Sequence, residues 1–195
     1  MLAVFIVIYI LAYALVLGFF LVEKFVRQGK AAKNMDRTGH DKGSTTFVSV
    51  AMGTAFVLLI ATPFLLYWQI ATYRLLWLSI IGLLLGAGGL VIRGVAFSTL
   101  GRFFSRTLRE VEGHTLVTTG IYKYIRHPGY LSDFMIFIGV ALALGGLILL
   151  AAIVVLFIPA YIYRINIEEK MLVEIFGEQY TAYQKTSKRL LPFIL

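Results

Sequence analysis

Three stretches of this chain run without charge, and a fourth with a single carboxylate, for longer than the interior of a soluble domain needs, and they leave few folds open. Residues 1–22, 44–73 and 75–92 hold no Asp, Glu, Lys or Arg, and residues 129–163 hold only Asp133. About 20 apolar residues carry a helix across the hydrocarbon core of a bilayer. Lipid offers backbone groups no partner, so such runs must satisfy their own hydrogen bonds as helices. The composition agrees: 59% of residues are hydrophobic and 14% charged, with a mean hydropathy of +0.86, against about 25% charged in soluble domains. Within these 195 residues a separate soluble catalytic domain is not expected. The absence of cysteine excludes a disulfide framework, a thiolate nucleophile and cysteine-ligated metal. The net charge of +8 does not mark a nucleic-acid protein, because the basic residues flank the apolar runs instead of forming a basic face.

In chain order, residues 1–22 form span one. They lack the basic start and small-residue cleavage site of a secretory leader. The following interval carries Lys24, Arg27, Lys30, Lys33, Arg37 and Lys42 and is expected in the cytosol by the positive-inside rule. Residues 44–73 form span two, ending near Tyr67-Trp68 at an interface and with Pro63 tolerated inside it, and residues 75–92 form span three. Within span three, Gly82, Gly86 and Gly89 share nearly one helical face, the pattern of close helix packing in lipid rather than of a phosphate loop. Residues 93–128 make a second basic, cytosolic interval. Residues 129–163 fold most simply into a helical hairpin broken at Gly145-Gly146, and the basic tail 164–195 returns to the cytosolic side. The expected fold is therefore a single all-α integral membrane domain of five transmembrane helices over residues 1–195. Its last two helices form the hairpin, its N-terminus lies outside and its C-terminus in the cytosol. Arg74 is the one cation on the far face.

The stretch His114 to Tyr130, HTLVTTGIYKYIRHPGY, is too polar and too dense in turn signals to face lipid. Pro128 suits the first turn of the next helix, and His127 before it is pushed out of helical geometry. His127 and Tyr130 then straddle a helix N-terminus, which favours an anionic group. Tyr161, Arg164 and Glu168 fall on one helical face, where a cation and an anion can grip a zwitterion. Each has a plainer role open to it: Arg164 as an interfacial anchor, Glu168 and Glu169 as a solvated face, His114 and His127 as interfacial side chains. Asp133, a carboxylate inside a span, is either a functional group or a water-facing one near the boundary.

The order HTLVTTGIYKYIRHPGY, an apolar hairpin, YRINIEEKMLVEIFGEQYTAYQ and LLPFIL resembles the isoprenylcysteine carboxyl methyltransferase family, whose relatives include the phospholipid methyltransferases. The resemblance covers about the second half of the chain. It implies a cytosolic pocket for S-adenosylmethionine, built from the loop before span four and the C-terminal segment. His114, Thr115, Leu116, Val117, Tyr122, His127, Pro128, Gly129, Tyr130 and Glu168 would hold this donor, and Arg164 would lie on the substrate side as the catalytic residue. It also implies a substrate drawn from the lipid bilayer, an isoprenylated cysteine or another lipid-linked carboxylate, with no metal and no nucleic acid. The alternatives are a phospholipid N-methyltransferase, which Arg164 disfavours by repelling an ammonium, and a non-enzymatic polytopic protein in which Asp133 lines a polar path.

Overall fold

The computed structural model describes residues 2–26, 41–101 and 115–190. Among them the extended elements are helices: α1 (Leu2–Val26), α2 (Ser44–Tyr67), α3 (Leu76–Leu100), α4 (Pro128–Leu144), α5 (Leu147–Phe176) and α6 (Glu178–Thr186). The cations Arg27, Lys30, Lys33, Arg37, Arg102, Arg106 and Arg109, together with His114 and most of the terminal LLPFIL, lie outside the described residues.

Helices α1, α2, α3 and α5 are long and apolar enough to cross a membrane; α4 is a shorter apolar helix. At 1.5 Å per residue the 17 residues of α4 span about 26 Å. Inside α5 the backbone passes through a π-helical turn at Ile153–Phe157, immediately before Pro159, which has no N–H to return to the preceding turn.

The second helix stops at Tyr67, at the Tyr67-Trp68 interface expected for span two and short of the end of the uncharged run at Tyr73, because Gln69 and Ala71 take left-handed backbone and turn the chain. One boundary differs from that of the charge pattern. The third helix runs past Ile92 to Leu100 and so carries Arg93 within it. Arg93 is only 3% exposed because it has partners there. Its Nη2 lies 2.7 Å from Glu23 of α1, its Nη1 pairs with Asp133 of α4, and its guanidinium covers the Phe19 ring at 4.0 Å. Tyr161 of α5 donates its hydroxyl to the other Asp133 oxygen at 2.8 Å. The intramembrane carboxylate is thus paired and hydrogen-bonded, as a buried charge must be.

In lipid, helices gain little from hiding apolar surface and associate through close packing. The glycine face of α3 supplies it: a Cβ on Gly82 would lie 2.5 Å from the Gly139 carbonyl oxygen of α4, and one on Gly89 would lie 2.9 Å from the Met135 Cβ. Phe19, Phe56, Phe137 and Phe157 join α1, α2, α4 and α5, with ring centroids 5.1–5.7 Å apart between successive partners of Phe137. At one end of the bundle the Tyr73 amide donates to the Gly145 carbonyl, and Thr72 bridges Gly146. Gly145 has a φ of +71°, and a Cβ there would collide with the Tyr73 carbonyl oxygen at 2.1 Å, so the close turn requires glycine. The ends of α1 and α3, the starts of α2 and α4, and the end of α5 with α6 meet at the opposite end.

Candidate active site

Seven of the predicted site residues, Tyr122, His127, Pro128, Gly129, Tyr130, Arg164 and Glu168, meet at that second end because the C-terminal segment is strapped to the RHPGY stretch. The Arg126 amide donates to Lys188 O at 2.7 Å, the His127 amide to Arg189 O at 3.1 Å, and the Lys188 amide to Tyr124 O at 2.9 Å. The Arg126 side chain completes the strap through Glu169 at 2.8 Å, Gln184 O at 3.2 Å and the Ser187 carbonyl. His127 takes non-helical backbone (φ −123°, ψ 57°) and Pro128 occupies the first turn of α4, so the residue before the proline stays out of the α region that the ring disfavours. Gly120–Lys123 forms one 3₁₀ turn that buries Tyr122 against Ala96 and Phe97 of α3, and Val117 packs on the same cluster. Burial, and then the nearby Glu168 charge, push the Tyr122 phenol above its usual range.

The centre is Tyr130. Its hydroxyl donates to Glu168 Oε2 at 2.5 Å and accepts from Arg164 Nε at 3.1 Å, so one phenol joins the cation and the anion that sequence spacing placed on one face. The His127 ring stacks on Tyr130 with centroids 5.5 Å apart and planes 10° from parallel. Adjacent glutamates divide here. Glu169 is 4% exposed and receives Arg126 at 2.8 Å and Arg189 at 2.7 and 2.9 Å, with His127 Nε2 at 3.4 Å. The Glu168 side chain keeps 23% exposure and aims its carboxylate at Tyr130.

The structure therefore brings together Tyr122, His127, Pro128, Gly129, Tyr130, Arg164 and Glu168 around the start of α4 and the end of α5. Thr115 is exposed and Leu116 half-buried; Val117 reaches the cluster through Tyr122. His114 lies outside the described residues. An open depression of about 450 Å³ between α5 and the strap, lined by Glu169, Lys170, Glu174, Gln184 and Arg189 among others, includes none of Tyr130, Arg164 and Glu168.

Sequence spacing missed the partners that hold Arg164. Its Nη1 donates to Asp41 Oδ1 at 3.0 Å, Ser44 Oγ at 3.1 Å and Thr45 Oγ1 at 2.6 Å. Burial alone would raise the Asp41 carboxyl, but hydrogen bonds from Thr45 and Ser44 and the Arg164 charge hold it below the usual carboxylate range. Spacing also missed Tyr180, whose hydroxyl is buried with no hydrogen-bond partner among the described residues. The available signals were Asp41 just ahead of α2, a short side-chain acceptor of the kind that takes up first-turn amides, and the phenol of the Phe-Gly-x-x-Tyr segment.

Comparison with known proteins gives this geometry a relationship. The model of the isoprenylcysteine carboxyl methyltransferase (ICMT) family matches residues 80–174. The chain is 36% identical over 123 residues to the protein-S-isoprenylcysteine O-methyltransferase of Xenopus laevis, covering 62% of this chain and 43% of that protein. It is 31% identical over 165 residues to a probable protein-S-isoprenylcysteine O-methyltransferase of Oryza sativa subsp. japonica, covering 80% and 85%. It is also similar to a solved structure of the eukaryotic intramembrane Ras methyltransferase ICMT, at a TM-score of 0.57 and 33% identity over 75% of this chain and 52% of that one. The chain spans less than half the length of the animal relatives it matches. With an all-helical membrane fold, a rice relative aligned over most of both lengths and a solved neighbour of the same kind, the chain belongs to the isoprenylcysteine carboxyl methyltransferase family.

Proposed function

We propose that this chain is a membrane methyltransferase that uses S-adenosylmethionine to O-methylate the α-carboxylate of an isoprenylated cysteine or a similar lipid-linked acid. The observation that carries the reading is the Arg164–Tyr130–Glu168 junction, a cation and an anion joined through one phenol at 3.1 and 2.5 Å. The family relationship supports the same chemistry.

The residues fit a zwitterionic, hydroxyl-rich donor. Glu168 offers a carboxylate to an ammonium, and the start of α4 presents main-chain N–H groups to a carboxylate. The orphaned Tyr180 hydroxyl lies close enough to Glu168 and Glu169 to feel both charges. His127, Pro128, Gly129, Tyr130 and Tyr122 would wall that side, together with His114, Thr115, Leu116 and Val117. When bound, S-adenosylmethionine supplies an electrophilic methyl on a sulfonium. Arg164 makes charge-assisted hydrogen bonds to the acceptor carboxylate and turns one oxygen toward that methyl. The acceptor is already ionised at pH 7, so no residue has to remove a proton. In that transfer an acceptor oxygen would bond to the methyl carbon while the C–S bond broke with its electron pair left on sulfur. Desolvation of the two opposite charges, which cancel as the methyl moves, assists the transfer.

The proposed topology has five crossings, with α4 and α5 as a helical hairpin, the N-terminus outside and the C-terminus in the cytosol. It is supported by Lys24, Lys42, Lys123, Arg126 and the 164–195 cations falling at the site end of the bundle, against Arg74 alone at the 68–75 turn. A donor then enters from the cytosol and the isoprenyl chain from the bilayer.

The test pairs Arg164→Ala with Glu168→Ala, measuring methyl transfer to a farnesylcysteine analogue and donor binding by calorimetry. Arg164→Ala should lose transfer and still bind donor. Glu168→Ala should bind donor roughly 10- to 100-fold more weakly, the worth of one charge-assisted hydrogen bond. Undiminished transfer by Arg164→Ala removes the proposed role of the arginine.

A further inference from the structure

Arg164 is 5% exposed, and the start of α2 surrounds one end of its guanidinium. Three acceptors, Asp41 Oδ1, Ser44 Oγ and Thr45 Oγ1, share the two hydrogens of Nη1. Asp41 is 2% exposed. Its Oδ1 also receives the hydroxyls of Ser44 at 3.0 Å and Thr45 at 2.6 Å and the Thr45 amide at 3.2 Å, while Oδ2 has no partner among the described residues. Lys42 and Gly43 take left-handed backbone next to it, and the Tyr163 hydroxyl fastens this turn to α5 through Lys42 O at 2.9 Å. Asp41, Ser44 and Thr45 all precede the 80–174 segment that carries the family match.

We propose that Asp41 is the resident counter-ion of Arg164: it cedes the guanidinium to the acceptor carboxylate and reclaims it once methylation has produced a neutral ester. The inference rests on the assignment of Arg164 to the acceptor. A buried guanidinium deprived of a carboxylate is strongly destabilising, and methyl transfer removes the acceptor's charge while it is still bound. Asp41 restores a carboxylate at Nη1 in the product state. The competition also weakens the hold on the acid, so acid and ester come to bind with similar strength and the product leaves.

Asp41 has a second role, accepting the Thr45 amide in the first turn of α2, and this role needs only an oxygen. Asn supplies that oxygen without the charge, so Asp41→Asn separates capping from counter-ion. The experiment measures binding of N-acetyl-S-farnesylcysteine and of its methyl ester, by calorimetry, to protein saturated with S-adenosylhomocysteine, which cannot transfer a methyl. In the unaltered protein acid and ester should bind within about tenfold of each other. In Asp41→Asn the acid should gain about tenfold over the ester, one charge-assisted hydrogen bond no longer contested. General loosening of the site moves both ligands together and leaves the ratio alone. An unchanged ratio in Asp41→Asn that still binds S-adenosylhomocysteine overturns the proposal. If that variant does not fold, the unaltered protein decides, because an acid preference beyond about 100-fold means that no resident carboxylate competes. Arg164→Ala tells this failure from that of the underlying reading: an acid-to-ester ratio that survives loss of the arginine places the acceptor carboxylate elsewhere.

Discussion

Neighbouring glutamates at the end of α5 should fail in different ways. Glu169 is 4% exposed and faces Arg126 at 2.8 Å and Arg189 at 2.7 and 2.9 Å. Removing one partner of a buried pair costs about 3–5 kcal/mol. The Arg189 side chain is 42% exposed and can turn to water, whereas the Arg126 side chain, at 8%, cannot. Glu169→Gln should therefore fall near the lower figure, about 3 kcal/mol, because one buried guanidinium rather than two is stranded. For a chain of this size that lowers the melting temperature by about 6–12 °C. Circular dichroism of detergent-solubilised protein measures it. Glu168→Gln, with its partly exposed carboxylate, should melt close to the unaltered protein and lose donor affinity instead. If Glu169→Gln melts with the unaltered protein, or if Glu168→Gln is the one that unfolds, the division between strap and site is wrong.

Two further outcomes follow from the packing and the charges. A Cβ on Gly139 would lie 2.5 Å from Gly82 O and 2.6 Å from the Gly86 amide nitrogen, both backbone atoms that no rotamer change can move. Gly139→Ala should therefore cost about 1–3 kcal/mol in thermal unfolding, whereas Gly53→Ala, with nothing within 4 Å, should be neutral or stabilising by up to about 1 kcal/mol; equal melting of the two would refute the close crossing. The Asp41 carboxyl is held below its ordinary value, so the stability it contributes is complete above the unfolded value near 4 and lost as pH falls through the folded one. Asp41→Asn should flatten the loss of melting temperature on acidification below about pH 4, and an undiminished slope would show that another group drives it.

Much of this arrangement was legible in the residues. Uncharged runs placed the helices, and the Arg-His-Pro order marked the start of α4. The 161, 164, 168 spacing brought Arg164 and Glu168 to one face. The spacing of Gly82, Gly86 and Gly89 announced a close-packed helix face, though not which helix would meet it. What stayed hidden depends on partners distant in sequence. Arg93 looked like the first residue of a loop because a cation at the end of an apolar run normally reaches water. Only Glu23 and Asp133, 70 and 40 residues away, let it remain inside the helix. Asp41 lies 123 residues from Arg164, and no periodicity along one helix connects them. The adjacent Glu168 and Glu169 have the same chemistry, and only the strap through Arg126 and Arg189 separates their roles.

The most direct measurement of the central claim is transfer of a tritiated methyl from S-adenosylmethionine by the purified protein in nanodiscs, offered N-acetyl-S-farnesylcysteine and phosphatidylethanolamine side by side. The account predicts label on the farnesylcysteine as a base-labile methyl ester and none on the amine. Label on phosphatidylethanolamine, or donor binding without transfer to the acid, would contradict it.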